Sequence, residues 1–174
     1  MQKGVVRKRR ASPLSEYGRQ LQEKQELKAQ YNLRERQFKQ YVVNTLTKGT
    51  GSNAAEFLMQ QLEKRLDSVV YRMGVAETRK QARQMVSHGH FLVNGKSINI
   101  PSYVVQREDV IMLKPHRTQK KLFQNAKLAL KKYVSPSWLQ LDKDKMEAKV
   151  LGVPSFEEVA PTVEIPLIFE FYSR

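Results

Sequence analysis

The fold is decided by residues 65–113, which read RLDSVVYRMGVAETRKQARQMVSHGHFLVNGKSINIPSYVVQREDVIML. At their start, Leu66, Val69 and Met73 lie three or four positions apart, a spacing that puts their side chains on one face of a helix. Gly74 is predicted to end this helix, because glycine adopts the left-handed conformation of a helix C-terminus without a Cβ clash. The first part of the stretch is therefore predicted to be helical.

A second helix and a β-hairpin are predicted to follow. Thr78 has Gln81 three residues later, which is the capping-box spacing of a helix start, and Gly89 is predicted to end this helix. Asn94-Gly95 lies between two strand-like runs and is typical of a two-residue hairpin, since a type I′ turn needs positive φ at both positions. Further strands are predicted at 104–105 and 110–113.

The residues before this stretch are predicted to form three more helices. Side chains that accept hydrogen bonds from the first helical turn occur at the start of each apolar pattern. We predict helix starts at Ser15, at Asn32 with Glu35 in capping-box spacing, and at Asn53 with Glu56 in the same spacing. Residues 1–13 lack apolar periodicity and are predicted to be a flexible basic tail.

The residues after the stretch are predicted to form a helix, two strands and two short segments. Thr118 is the expected cap of a long helix, and residues 138–141 and 146–150 alternate like two strands around a polar turn. Ser155 with Glu158 predicts one capped helical turn. Residues 165–172 are predicted to be a last extended segment, and proline at 166 indicates an edge strand or an irregular start there.

The composition indicates what kind of partner the chain binds. It has 31 Lys and Arg against 17 Asp and Glu, a net charge of +14 over 174 residues. Residues 1–50 carry 12 cations and 4 anions, residues 51–133 carry 15 and 6, and residues 134–174 carry 4 and 7. Because a strong positive field attracts polyanions, we predict that a polyanion contacts the first three quarters of the chain. The last quarter is expected to pack or to contact a protein.

Several classes of protein are disfavoured. The chain has no cysteine, which excludes disulfides and thiolate metal sites. No apolar run reaches the roughly 18 residues of a membrane-spanning helix, so a soluble cytoplasmic protein without a membrane partner is expected. The phosphate-loop, dinucleotide and nucleophile-elbow motifs are absent. We predict no metal, no cofactor and no enzymatic activity.

Several motifs resemble one family. RLDSVVYRMG, TRKQARQMVSHG, VNGK and INIPSY are similar to the RNA-binding module named after small-subunit ribosomal protein four. SEYGRQLQEKQ, LRERQF, WLQLDKDKMEAKVLGVP and a terminal FYS extend the resemblance over nearly the whole chain, in the bacterial or organellar form. Family members usually carry a longer N-terminal arm, sometimes with zinc-binding cysteines. This chain opens with MQKGVVRKRR, so either a short natural form or a truncated chain is expected.

The resemblance implies an α+β fold with two domains. After the tail at 1–13, it implies an N-terminal helical domain at 14–62. An RNA-binding module and its extension, in which helices pack on a small antiparallel sheet, occupy 63–154, with the core module at 65–125. Residues 155–174 are expected to return to the helical domain.

The function implied by the resemblance is structural. A family member binds small-subunit ribosomal RNA, organises its 5′ domain, nucleates assembly of the subunit body and affects translational accuracy. The implied partners are that RNA, neighbouring ribosomal proteins, especially protein five, and messenger RNA. The implied location is the ribosome, in the cytoplasm or in an organelle. Two alternatives stay open: an RNA-modifying enzyme and a free RNA chaperone, each carrying the same module.

Cations and a few polar side chains are the predicted RNA contacts. Lys and Arg bind phosphate by charge, and Arg adds a bidentate fork. Tyr17 is a candidate for base stacking, with a half-buried position in the core as the alternative. The predicted RNA-binding residues are Arg9, Arg10, Tyr17, Arg19, Lys24, Arg34, Arg36, Arg65, Arg72, Arg79, Lys80, Arg83, His88, Asn94 and Lys96.

Two other patterns receive a structural interpretation. The tripeptide at 65–67, Arg-Leu-Asp, is similar to the sequence around the catalytic aspartate of some pseudouridine synthases. Here it lies inside the module's own helix, so Asp67 is predicted to be a helix cap or an ion-pair partner. Three histidines without cysteine are too few for a structural zinc site, which normally has four protein ligands.

Overall fold

A computed structural model describes residues 14–48, 53–117 and 121–173. Within these ranges, the chain forms eight α-helices and one small antiparallel sheet, which confirms the predicted α+β fold. The helices are α1 (Glu16–Gln30), α2 (Glu35–Lys48), α3 (Ala54–Glu63), α4 (Leu66–Arg72), α5 (Arg79–Ser87), α6 (Lys121–Leu130), α7 (Phe156–Val159) and α8 (Ile165–Ser173), with a 3-10 turn at Pro115–Arg117. The strands are β1 (Phe91–Val93), β2 (Lys96–Ile98), β3 (Val110–Leu113), β4 (Leu139–Asp142) and β5 (Glu147–Val150).

The sheet is antiparallel throughout, with strand order β2-β1-β3-β5-β4. The predicted hairpin between β1 and β2 is confirmed, because Asn94 and Gly95 have φ of 49° and 79°, as a type I′ turn requires. The strand predicted at 104–105 is wrong. Val104 makes only an isolated bridge with Arg65, since the loop before β3 pairs with the link between α3 and α4 and not with the sheet.

Two separate hydrophobic cores hold the molecule together. The first lies between α4, α5, α6 and the sheet, and includes Val69, Phe91 and Phe123. The second lies between α1, α2 and α3, and includes Phe38 together with Ile168 of α8. The C-terminal residues therefore pack on the N-terminal helices. Trp138 is buried in the first core.

Three predicted helix starts are confirmed by their hydrogen bonds. The hydroxyl of Ser15 accepts from the Gly18 N–H at 3.2 Å, and that of Thr78 accepts from the Gln81 N–H at 3.1 Å. The hydroxyl of Ser155 likewise accepts from the N–H of residue 158 at 3.3 Å. The predicted end of α4 is also confirmed, since Gly74 has φ of 75°.

Two predicted caps are wrong in part or in full. Asn32 does not cap α2: it has φ of 51° and its N–H donates to the carbonyl of Ala29 at 2.9 Å. It therefore ends α1, a role open to asparagine because its short polar side chain tolerates the left-handed region. Asn53 does precede α3, but its side chain makes no capping hydrogen bond.

The prediction of an extended segment at 165–172 is wrong, because this segment is α8. Proline at 166 falls in the first helical turn, where the missing N–H has no partner to lose and the fixed φ suits a helix. The cap predicted at Thr118 and the basic tail predicted at 1–13 lie outside the described residues.

Candidate nucleic-acid interface

Two arginines from different parts of the chain meet in one groove. Arg34 immediately precedes α2, and Arg83 lies on α5. The groove has a volume of about 480 Å³ and is lined by Asn32, Leu33, Arg34, Gln37 and Arg83. We call it the arginine groove. It lies between the N-terminal helices and the α4–α5 pair, so a ligand there contacts both parts of the molecule.

The positive charge of the arginine groove is only partly balanced by the protein. Arg83 donates to the backbone carbonyl of Asn32, and its Nε lies 3.8 Å from an oxygen of Asp67. Burial lowers the pKa of the Arg83 guanidinium, and the charges of Arg65 and Arg34 lower it further, which outweighs the opposite effect of Asp67. An anion in the groove would relieve this repulsion.

A second pocket adjoins the arginine groove, because Gln37 lines both. Its volume is about 290 Å³, and its other lining residues are Gln40, Tyr41, Asn44, Arg65 and Ser102. We call it the amide pocket. Its α2 residues lie three, four and seven positions after Gln37, so that all of them share one face of that helix.

Arg65 forms a wall of the amide pocket but is 1% exposed. Its Nε and Nη2 donate to the two carboxylate oxygens of Asp67 at 3.0 and 2.7 Å, and its Nη1 donates to the Tyr41 hydroxyl at 2.8 Å. Asp67 is thus the ion-pair partner that the sequence predicted, and not a free carboxylate. The prediction that Arg65 contacts phosphate is not supported, because all three guanidinium nitrogens already bind protein oxygens.

A buried carboxylate pairs with two more of the predicted phosphate ligands. Glu63 is 0% exposed and accepts from Arg72 at 2.9 and 3.0 Å, from Arg79 at 2.7 Å and from the Tyr31 hydroxyl at 2.5 Å. Burial by itself raises the pKa of the Glu63 carboxyl, but the two arginines and Tyr31 hold it below its usual value. We call these four residues the Glu63 cluster. It ties α3 to α4, to α5 and to the end of α1.

Lys24 is a further predicted phosphate ligand with an internal role. Its ammonium lies 3.0 Å from Glu35 and 4.5 Å from the ring centroid of Phe171, and the residue is 5% exposed. Glu35 also binds Lys28 at 3.0 Å and the Tyr172 hydroxyl at 2.6 Å. This group joins α1, α2 and α8, so Lys24 stabilises the fold whether or not it contacts RNA.

The remaining predicted contacts in the described residues are exposed, and some of them also bind other parts of the protein. Asn94 lies at the exposed hairpin turn, where its side chain donates to Asp109 at 2.7 Å and accepts from the Val110 N–H at 2.9 Å. Tyr17 is half exposed, with its ring 5.6 Å from that of Phe171. Arg9 and Arg10 lie outside the described residues. The exposed side chains, which stay predicted RNA contacts, are Tyr17, Arg19, Arg34, Arg36, Lys80, His88, Asn94 and Lys96.

Four polar residues of the amide pocket were not predicted, namely Gln37, Gln40, Asn44 and Ser102. The three on α2 carried a signal, since polar side chains at helical spacing form a stripe opposite the apolar one. Neutral amides are common on any helix surface, and only their position in a pocket that adjoins the arginine groove singles them out. Ser102 lies in the loop between β2 and β3, for which the sequence contains no periodic pattern.

The described ranges contain neither a metal-ligand cluster nor a membrane-spanning helix. Among those residues, no group of three His, Cys, Asp or Glu side chains is placed to hold a metal ion. None of the helices in the same ranges is both long and apolar enough to cross a membrane.

Known proteins resemble the chain over both of its parts. A family model described as the S4 domain matches residues 64–111, and one described as the ribosomal protein S4/S9 N-terminal domain matches residues 1–63. Small ribosomal subunit protein uS4 of Aquifex aeolicus is 46% identical over 95% of this chain and 79% of its own length. The proteins of the same name from Persephonella marina and Thermotoga petrophila are 45% and 44% identical, over 99% and 95% of this chain and 83% and 78% of their own lengths.

Proposed function

Because the chain belongs to the uS4 family of small ribosomal subunit proteins, we propose that it is a structural constituent of that subunit and binds its ribosomal RNA. The observation that carries this proposal is the arginine groove, in which Arg34 and Arg83 present positive charge that the protein does not fully neutralise. Phosphate is the anion that RNA supplies in quantity, and Arg is well suited to bind it.

The arginine groove also supports recognition of RNA by its shape and backbone. Structured RNA is recognised mainly by shape and backbone, because side chains cannot enter the narrow major groove of an A-form helix. The Glu63 cluster and the Lys24–Glu35 pair hold the helices around the groove in fixed positions. A rigid surface with charges on both sides of a groove selects RNA segments whose phosphates have the matching spacing. Exposed Arg36, Lys80 and Lys96 would extend this contact.

The finer parts of the role rest on the family resemblance. We propose that the protein organises the 5′ domain of the subunit's RNA, nucleates assembly of the body and affects translational accuracy without catalysing a reaction. Its further partners would be ribosomal protein five and messenger RNA. Its place would be in the ribosome of the cytoplasm or of an organelle.

Competition binding tests this proposal. The full chain is titrated with a transcript of the 5′ domain of small-subunit ribosomal RNA, with an unrelated folded RNA of equal length as competitor. We expect tight binding to the ribosomal transcript that survives an excess of the competitor at physiological salt, because shape adds to charge. Equal affinity for both RNAs would contradict the proposal, since charge alone does not distinguish them.

A further inference from the structure

The arginine groove and the amide pocket offer different chemistry side by side. The groove contains Arg34 and Arg83, whose charges repel each other. The amide pocket contains one cation, Arg65, whose charge is neutralised by Asp67 at 2.7 Å. The groove therefore suits an anion, and the pocket suits a neutral polar group. Gln37 lines both, so a single ligand with a charged and a neutral part can occupy them together.

The amide pocket has hydrogen-bonding groups available for a ligand. Within the described residues, the side chains of Gln40, Asn44 and Ser102 have no hydrogen-bond partner. Each amide offers both donors and an acceptor, as the edge of a nucleobase does. The ring of Tyr41, which is only partly buried, also lines the pocket, and bases in RNA complexes commonly stack on aromatic side chains.

From this juxtaposition we propose that the two sites together bind one unstacked nucleotide of the ribosomal RNA, with its base in the amide pocket and a phosphate in the arginine groove. This inference rests on the proposed function and adds base recognition to it. The pocket's volume of about 290 Å³ is near the lower limit of small-ligand sites, which suits a single base and excludes a duplex. Unpaired bases in loops and bulges are the usual targets of sequence-specific recognition in RNA.

The test removes the amides and leaves the charges in place. The variant Gln40→Ala/Asn44→Ala is compared with Gln22→Ala/Asn125→Ala, which removes one Gln and one Asn from exposed positions outside both sites. Binding of each full chain to the 5′-domain transcript is measured over a salt series. Dimethyl sulfate then probes the base edges of the bound RNA, and hydroxyl radicals probe its backbone. All four residues are outside the cores, so thermal unfolding is expected to match the wild type.

The expected result is specific to a base contact. The pocket variant should bind about tenfold or more weakly, in line with the loss of two hydrogen bonds to the base. Its salt dependence should equal that of the wild type, because no charge is removed. One nucleotide protected from dimethyl sulfate by the wild type should become reactive, while the hydroxyl-radical footprint persists. The control variant should retain wild-type affinity and both protection patterns.

Two results would overturn the inference, and they are distinguishable. If the pocket variant keeps wild-type affinity and the full dimethyl sulfate protection, no base occupies the pocket, although the protein can still be an RNA-binding ribosomal component. If the wild type itself fails to prefer the ribosomal transcript over an unrelated folded RNA, the proposed function fails and this inference fails with it.

Discussion

Glu63 is the residue on which the contact between the helices depends most. Its carboxylate is 0% exposed and binds two arginines and a tyrosine. Replacing it by glutamine keeps the shape but leaves Arg72 and Arg79 without their counter-charge. Since removing one partner of a buried ion pair costs about 3–5 kcal/mol, we expect Glu63→Gln to lower the free energy of unfolding by about 3 kcal/mol.

The measurement is urea unfolding followed by circular dichroism. The matched control is Glu77→Gln, because Glu77 is exposed and its side chain has no ion pair within the described residues. We expect the control to stay within about 0.5 kcal/mol of the wild type. An equal effect of the two substitutions would contradict the role assigned to the Glu63 cluster.

Position 74 requires glycine because of its backbone conformation and because of the neighbouring Tyr133 ring. Its φ of 75° lies in the left-handed region, and a Cβ at this position would lie 2.7 Å from the Tyr133 ring. We expect Gly74→Ala to destabilise the fold by about 2 kcal/mol or more, from the left-handed conformation and the ring displacement together. Gly152 serves as the control, because a Cβ there meets nothing within 4 Å. The measurement is thermal unfolding of both alanine variants. Equal unfolding midpoints for the two would contradict the role assigned to Gly74.

Individual arginines show how much of the candidate RNA-binding site could be predicted from the sequence. Exposed Arg34 and buried Arg79 look alike in the sequence, since both are arginines near a helix start. What distinguishes them is that Arg79 lies beside Glu63, a contact between residues 16 positions apart that only the tertiary structure creates. The charge excess predicted a polyanion partner, but it could not predict which cations are neutralised internally.

At the scale of secondary-structure elements, Glu35 holds three helices together. Burial by itself raises its pKa, but hydrogen bonds from Tyr172, Lys24 and Lys28 outweigh this and lower the pKa from 4.5 to about 2. Because the pKa is lower in the folded state than in the unfolded chain, this stabilisation is complete above about pH 4.5. It is lost as the pH falls towards about 2.

The corresponding prediction concerns acid unfolding. We expect Glu35→Gln to reduce the dependence of the unfolding free energy on pH between about 4.5 and 2. The reduction should be small, because the Glu35 side chain is 47% exposed and solvent screens its ion pairs. Glu157→Gln, at an exposed position on α7, should follow the wild-type curve. Parallel curves for Glu35→Gln and the wild type would contradict the prediction. The measurement is denaturant unfolding at a series of pH values.

Most elements were predictable, and the failures have local physical causes. Asn94-Gly95 and Thr78 were predicted correctly because the turn and the cap are determined by the residues themselves. Residues 165–172 were predicted to be extended with an irregular start at Pro166, but proline is equally compatible with the first turn of a helix. The packing of this segment on α1 and α2 favours the helix. Asn32 can either cap a helix start or end a helix in the left-handed conformation, and the sequence did not distinguish the two.

At the scale of the whole molecule, two cores with separate side chains are joined around the arginine groove. Arg34 belongs to the part built on α1, α2 and α3, and Arg83 to the part built on the sheet. RNA bound in the groove would therefore contact both parts. The spacing of the phosphate ligands depends on how the parts are joined, which no local sequence pattern encodes.

The claim that the arginine groove binds RNA phosphate is tested most directly by the salt dependence of RNA binding after charge is removed from the groove. Arg34→Gln/Arg83→Gln is compared with Lys143→Gln/Lys145→Gln, which removes equal charge from the exposed turn between β4 and β5. The slope of log affinity against log salt for the 5′-domain transcript is measured for both. We predict that the slope falls by about two for the groove variant and stays unchanged for the control. Equal slopes for the two variants would contradict the claim that the groove binds phosphate.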